Sequence, residues 1–440
     1  MRFFALLLSE RSLTTRALAP VLAALPLLTL EGSARALQPL DEFVAAARGQ
    51  NLDNREAQAT ADQRVHEARQ AWGKIGPSFV AKGSYTRNQF DAVIPAGSFG
   101  GGSPAVTIQG IDQLDASFTL NLPLVDVGAW HRVGGAVATA DAARVRAQAT
   151  GLSVEKDVIR GYLQVVADEA TLTAAQQALA TSQESQAIVG TRRQAGSASE
   201  LDTERARADV ERARQVVASA EQARAVARRA LESLTGLSPS AGTAPLVDDG
   251  LGDEPGLASL EPGVIKLPAV RAAALETRAA DKSASAAWAA LAPTVAGTAA
   301  ERLTTASGFT GKVGSYSLAL SATWTLDPST YFAAKAQGSA HAAAEVREKR
   351  AEQQAKDDLH TAWQEVRADV AKARAAKAEA EASARALVLA RERYQAGAAT
   401  QLDVQQAERD AFSSEVARIA AQADLAYARA SVRLDSGRPR

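Results

Sequence analysis

Arg192 to Asp209 reads RRQAGSASELDTERARAD, and Arg393 to Asp410 reads RYQAGAATQLDVQQAERD. The two align without gaps at a shift of 201 residues. Nine of the eighteen positions are identical, among them Gly196/Gly397, Leu201/Leu402 and Asp202/Asp403. The same shift lays Asp126 on Asp327, so that Asp and motif Gly stand 70 residues apart in both halves. Nearly every residue in those intervals is a helix former, and a helix of ~65 residues is ~100 Å long. A repeat of this period describes two copies of one elongated unit, although a chain of 440 residues would ordinarily divide into two or three globular domains.

Upstream of each Asp the period changes from helical to two. In Ser117–Val125, Phe118, Leu120, Leu122 and Leu124 alternate with Ser117, Thr119 and Asn121. In Ser315–Leu326, Tyr316, Leu318, Leu320, Ala322, Trp324 and Leu326 alternate with small polar residues. One apolar face at period two predicts a half-buried strand. Aromatics near both ends (Tyr316, Trp324) match the interfacial girdles of outer-membrane barrels; a soluble two-sheet sandwich with one wet face gives a similar pattern. Weaker alternation at Phe79, Ala81, Gly83 and Tyr85, and at Val295, Gly297 and Ala299, predicts a partner strand in each half. Each half then holds a hairpin, at about 78–126 and about 294–327.

Further upstream, Trp72-x4-Pro77 repeats as Trp288-x4-Pro293 at a shift of 216. The first copy therefore holds 15 extra residues before Asp126, which the Gly/Ser-rich stretch Pro95–Gly110 supplies as a mobile loop. Leu40 to about Ile75 reads as one helix. The long helices start near Gly128 and Ser329, with stripes Val158, Tyr162, Val165, Val166 and Leu359, Trp363, Val366, Val370 at helical spacing. Each breaks at its motif Gly, read as a left-handed helix stop, and a further helix follows, at about 199–234 and about 400–434. Ser199-x-x-Asp202 and Thr400-x-x-Asp403 both fit capping boxes. Thr235 to Pro268 is rich in Gly, Pro, Ser and Asp and reads as an irregular connection. The organisation expected is a first repeat over 37–240, a connection over 241–267 and a second repeat over 268–440.

Composition removes whole classes of function. Net charge is -1, which is no basis for nucleic-acid binding, and the absence of Cys excludes disulfides, thiolate metal sites and a lipid-modified cysteine. His66, His131, His341 and His360 show no ligand spacing, and Met1 is the only methionine. There is no nucleotide loop and no nucleophile–base cluster, so neither enzyme nor cofactor is expected. Residues 1–36 carry Arg2, Arg11 and Arg16, an apolar stretch Ala17–Leu30 and the small-residue site Ala34-Arg35-Ala36. They read as a secretory signal with Leu37 as the mature N-terminus; the stretch is short of the ~20 residues of a membrane-spanning helix.

Helix, strand, strand, very long helix, Gly turn and helix, all duplicated, join the motifs Tyr394-Gln-Ala-Gly397…Leu402-Asp403 and Asn121-Leu-Pro-Leu-Val-Asp126-Val-Gly128. This pattern resembles the TolC-like outer-membrane efflux protein family over essentially the whole mature chain. The resemblance implies a mainly α protein with a small β part: a homotrimer with a twelve-stranded outer-membrane β-barrel, four strands per protomer, above a periplasmic α-barrel of long coiled-coil helices. It implies a passive exit duct in outer-membrane lipid, served by a periplasmic adaptor protein and an inner-membrane pump, proton-driven or ATP-driven. The strand count agrees independently, because four strands cannot close a barrel and an open edge cannot face lipid. The resemblance further places Asp403 at a constricted aperture, Tyr394 and Asp202 in a latch between the two turns, and the turns at Gly196-Ser197 and Gly397-Ala398 against the adaptor. Two family positions are changed: a second acidic site is Gln406, and a latch Arg is Ala399. A non-channel periplasmic coiled-coil protein, structural or adaptor, is the alternative, and capping alone also accounts for Asp202 and Asp403.

Overall fold

A computed structural model describes residues 37–438 apart from 99, 241, 243, 245–250, 253, 309 and 310; the signal segment expected at 1–36 lies outside the described residues. Helices α1 (Leu40–Gln50), α2 (Leu52–Gly73), α3 (Val127–Gln194) and α4 (Glu200–Thr235) belong to the first half. Helices α5 (Pro268–Ala289), α6 (Pro328–Gln395) and α7 (Gln401–Asp435) belong to the second. The strands are β1 (Ser78–Arg87), β2 (Ala92–Ile94), β3 (Val106–Gln109), β4 (Asp112–Val125), β5 (Thr294–Thr304) and β6 (Gly314–Thr323).

Helices α3 and α6 are each 68 residues long, ~100 Å at the helical rise. The repeated Asp starts both. Asp126 Oδ1 accepts the Ala129 amide at 2.7 Å and Asp327 Oδ1 accepts that of Ser329 at 2.9 Å, so each strand turns into its helix on an N-cap. At the same junction Trp72 meets Trp130 edge to face at 5.7 Å, and Trp288 meets Tyr331 in the same way at 5.9 Å.

The four long strands form one antiparallel sheet in the order β1-β4-β5-β6. Its register sets Phe79 opposite Leu120, Leu120 opposite Ala299 and Ala299 opposite Leu318, which gives an apolar row across one face. The next row is polar at Ser78, Asn121 and Thr298 and ends on the small Ala319, with the Thr298 hydroxyl 3.3 Å from Asn121 Oδ1. Pro123 sits where the β4–β5 register slips, the place in a sheet where a missing N–H is tolerated. Strands β1 and β6 pair on one side only, and every residue of both is exposed.

Three elements differ from the sequence expectation. The helix expected from Leu40 to Ile75 breaks at Asn51, whose Oδ1 caps α2 by accepting the Asp53 and Asn54 amides while its Nδ2 donates to Leu234 O at 3.0 Å. The loop expected over Pro95–Gly110 holds β3, which pairs with β2 as a small separate hairpin. Strand β6 ends at Thr323, before Trp324, whose indole N–H donates to Leu291 O at 3.0 Å.

Each half has its own helical core. Val158, Val165 and Leu231 pack with Phe43 in the first; Leu359, Val366 and Val432 pack with Val264 in the second. The first three of each set are related by the shift of 201. Arg228 and Arg429 share that relation and do the same work. Arg228 donates to Pro239 O at 2.8 Å, bonds Ser240 O and pairs with Glu169. Arg429 donates to Gly252 O at 2.8 Å and pairs with Glu254 at 3.0 Å. Both tie the irregular connection to the helices.

Candidate functional site

The two Gly turns close α3 and α6 with identical backbone geometry. Gly196 and Gly397 have φ of 75° and 76°, and a Cβ at either would meet nothing within 4 Å. Glycine is required there for its left-handed conformation, not for space. The Ser197 amide reaches Arg192 O at 2.8 Å and the Gly196 amide reaches Arg193 O at 2.9 Å. Ala398 to Arg393 O, at 2.8 Å, and Gly397 to Tyr394 O, at 3.1 Å, repeat the pattern, so both ends are Schellman motifs.

The next helix of each half opens on a full capping box. Asp202 Oδ2 accepts from the Ser199 amide at 3.1 Å and hydroxyl at 2.7 Å, and Asp403 Oδ2 accepts from those of Thr400, both at 2.7 Å. The Thr400 hydroxyl, then its backbone N–H, hold the Asp403 carboxyl below the ordinary carboxylate range. Each box occupies one oxygen of its carboxylate. Leu201 and Leu402, next to the two acids, are 57% and 52% exposed.

Tyr394 and Asp202 are not joined by a hydrogen bond among the described residues. Tyr394 instead carries the Arg192 guanidinium over its ring, 4.3 Å from the centroid, and Arg192 Nη2 donates to Gln395 O at 3.0 Å. Further from the turns, Ser185 donates to Glu408 at 2.8 Å and Arg409 pairs with Asp209 at 2.8 Å, again between the halves. Between α3–α4 and α6–α7 lies a cavity of about 760 Å³, lined in part by Asp209 and Gln405. Asp209 Oδ2 and Gln405 Nε2 have no hydrogen-bond partner among the described residues. Sequence reasoning missed Arg192, Ser185, Glu408 and Arg409. The repeat aligns each residue with its own copy and carries no signal for what it touches some 200 positions away. No group of His, Asp and Glu among the described residues could hold a metal ion, and no described helix is long and apolar enough to cross a membrane.

A sheet with two open edges is thus continuous with helices of ~100 Å that end in paired turns. The chain belongs to the outer membrane efflux protein family, whose model matches residues 44–237 and 266–438, one stretch in each repeat. Among solved structures it is similar to CusC, whose structures concern folding and transmembrane channel formation, at 19% identity and a TM-score of 0.79 over 91% of this chain and 92% of that one. It is similar to the open state of the Neisseria gonorrhoeae MtrE outer membrane channel at 22% identity and a TM-score of 0.75, covering 92% and 90% of the two chains. The Campylobacter jejuni CmeC outer membrane channel matches at 16% identity and a TM-score of 0.76, covering 91% and 86%. No curated protein sequence matches the chain.

Proposed function

We propose that three copies of this chain assemble into a passive exit duct. Their sheets join edge to edge into a twelve-stranded barrel in the outer membrane, and their long helices form a periplasmic tunnel. The observation that carries this is the sheet itself. Its β1 and β6 edges are unpaired and exposed, and both faces are open to solvent in the single chain. Unpaired backbone groups cannot remain in hydrocarbon, so a closed ring of several chains is the arrangement that satisfies them. Strands of 10 to 14 residues are long enough to span the membrane obliquely.

The duct has no energy source of its own, and an inner-membrane pump supplies the work through a periplasmic adaptor. The adaptor contacts the turns at Gly196-Ser197 and Gly397-Ala398, where the exposed leucines Leu201 and Leu402 offer apolar anchors. Asp403 lines the mouth, with its free oxygen facing the lumen. Tyr394 and Asp202, on the facing turns, belong to the element that holds the mouth closed.

The protein purified in mild detergent is expected to run as a trimer and to show, by cryo-microscopy, a shaft extending ~100 Å beyond its barrel, the length of α3 and α6. A soluble periplasmic monomer would overturn the reading. In planar bilayers the wild type is expected to be mildly cation-selective. Asp403→Ala should weaken block by multivalent cations, because three converging carboxylates attract them. Unchanged block would leave Asp403 with its capping role alone.

A further inference from the structure

We propose that Arg192 is the residue that fastens the tip, holding the second-repeat turn by the face of Tyr394 and the backbone of Gln395. The inference rests on the duct reading above and concerns how its mouth is kept closed.

Four observations lead to it. The guanidinium lies 4.3 Å from the Tyr394 ring centroid, within the range where the negative face of the ring attracts a cation. Its Nη2 donates to Gln395 O at 3.0 Å, so one side chain makes two contacts of different kinds to the last turn of α6. Both Arg192 and Tyr394 are half-buried, whereas Arg193, Gln194, Gly196, Arg393, Gln395 and Gly397 around them are exposed. The contact lies four residues before Gly196, nearer the turns than the Ser185–Glu408 or Asp209–Arg409 links.

Arg192 differs in its surroundings from its copy in the second repeat. Its repeat counterpart, Arg393, is exposed, and Tyr394 is replaced in the first repeat by Arg193, which pairs with Glu200 of its own half at 3.7 Å. The clasp is therefore one-directional, from α3 to α6. A planar guanidinium stacks on a ring as a Lys ammonium does not, and the ring contact needs the Tyr394 face but not its hydroxyl.

The test is single-channel recording of the assembled protein with Arg192→Ala, Arg192→Lys, Tyr394→Leu and Tyr394→Phe, and with Arg193→Ala as control. Arg192→Ala and Tyr394→Leu should each raise the open-to-closed ratio about threefold per clasp, about thirtyfold for three acting together. The double variant should add little more, since both changes remove one interaction. Arg192→Lys should recover only part of the closure, Tyr394→Phe should open the channel far less than Tyr394→Leu, and Arg193→Ala should behave as wild type. If Tyr394→Phe opens the channel as far as Tyr394→Leu, the hydroxyl is the fastener and the proposal is overturned. It is equally overturned if Arg192→Ala records as wild type. Should Arg192→Ala fail to assemble, Tyr394→Leu tests the clasp from the opposite side. A wild-type protein that forms no channel would fail the duct reading instead.

Discussion

Gly196 and Gly397 adopt one conformation, Ser199/Asp202 and Thr400/Asp403 close the same capping box, and Arg228 and Arg429 grip the same connection from opposite repeats. One turn away the two copies part company. Arg193 stands opposite Tyr394, Glu200 opposite Gln401, and Glu204 opposite Gln405. The two first-repeat glutamates are exposed; the glutamines are 4% and 3% exposed. The shared residues satisfy the backbone of their own turn, which has the same orphan amides and carbonyls in both halves. Of the residues that differ, Tyr394 meets Arg192 of the other half and Gln405 lines the cavity between the halves, whereas Arg193 pairs with Glu200 of its own half and Glu204 is exposed. At these positions it is the second copy that turns inward, while the first keeps its charges in solvent.

The comparison can be broken first at the arginine pair. Arg228→Ala leaves Glu169, with 6% of its side chain exposed, without its charge partner, whereas Arg429→Ala leaves Glu254 at 16%. Stranding a buried carboxylate costs about 3–5 kcal/mol. Arg228→Ala should therefore lower the urea midpoint of the assembled protein more than Arg429→Ala does. Equal losses would mean that the carbonyl bonds to Pro239, Ser240 and Gly252 dominate, and that the two clamps are energetically alike.

A smaller effect sharpens the comparison at the caps. Ser199→Ala should cost about 1 kcal/mol and loosen hydrogen-exchange protection in the first turn of α4. Thr400→Ala should do the same in α7, with a pH dependence of known sign. Because the folded Asp403 carboxyl titrates below its ordinary value of 3.8, its contribution is complete above that value and is lost as pH falls through the lowered one. The Thr400→Ala defect should then be full at neutral pH and shrink in acid. A defect independent of pH would show that the hydroxyl, rather than the carboxylate, carries the cap.

Much of the fold was legible because it is local. The period-two runs before Asp126 and Asp327 and the S/T-x-x-D signals each report residues close in sequence, and the 201-residue shift presents each of them twice. The break at Asn51 was not legible, because the asparagine stops the helix partly by reaching Leu234, 183 residues away. The β2–β3 hairpin was hidden for a different reason: strands of three and four residues are too short to show a period. At the two Gly turns, Gly196, Gly397, Asp202 and Asp403 could be placed from the motif, yet the partner of Tyr394 could not.

By itself the sequence determined the two-unit plan, the length of α3 and α6, the positions of their caps and stops, and the alternation that makes one sheet face apolar. Each follows from backbone hydrogen bonding and side-chain period within a few turns of chain. Only the tertiary structure decided that β4 pairs with β5 across the two repeats, leaving β1 and β6 as open edges, and that Arg192 crosses from one half to the other. Those choices depend on which surfaces meet once ~100 Å helices lie side by side, and no spacing along the chain records that meeting.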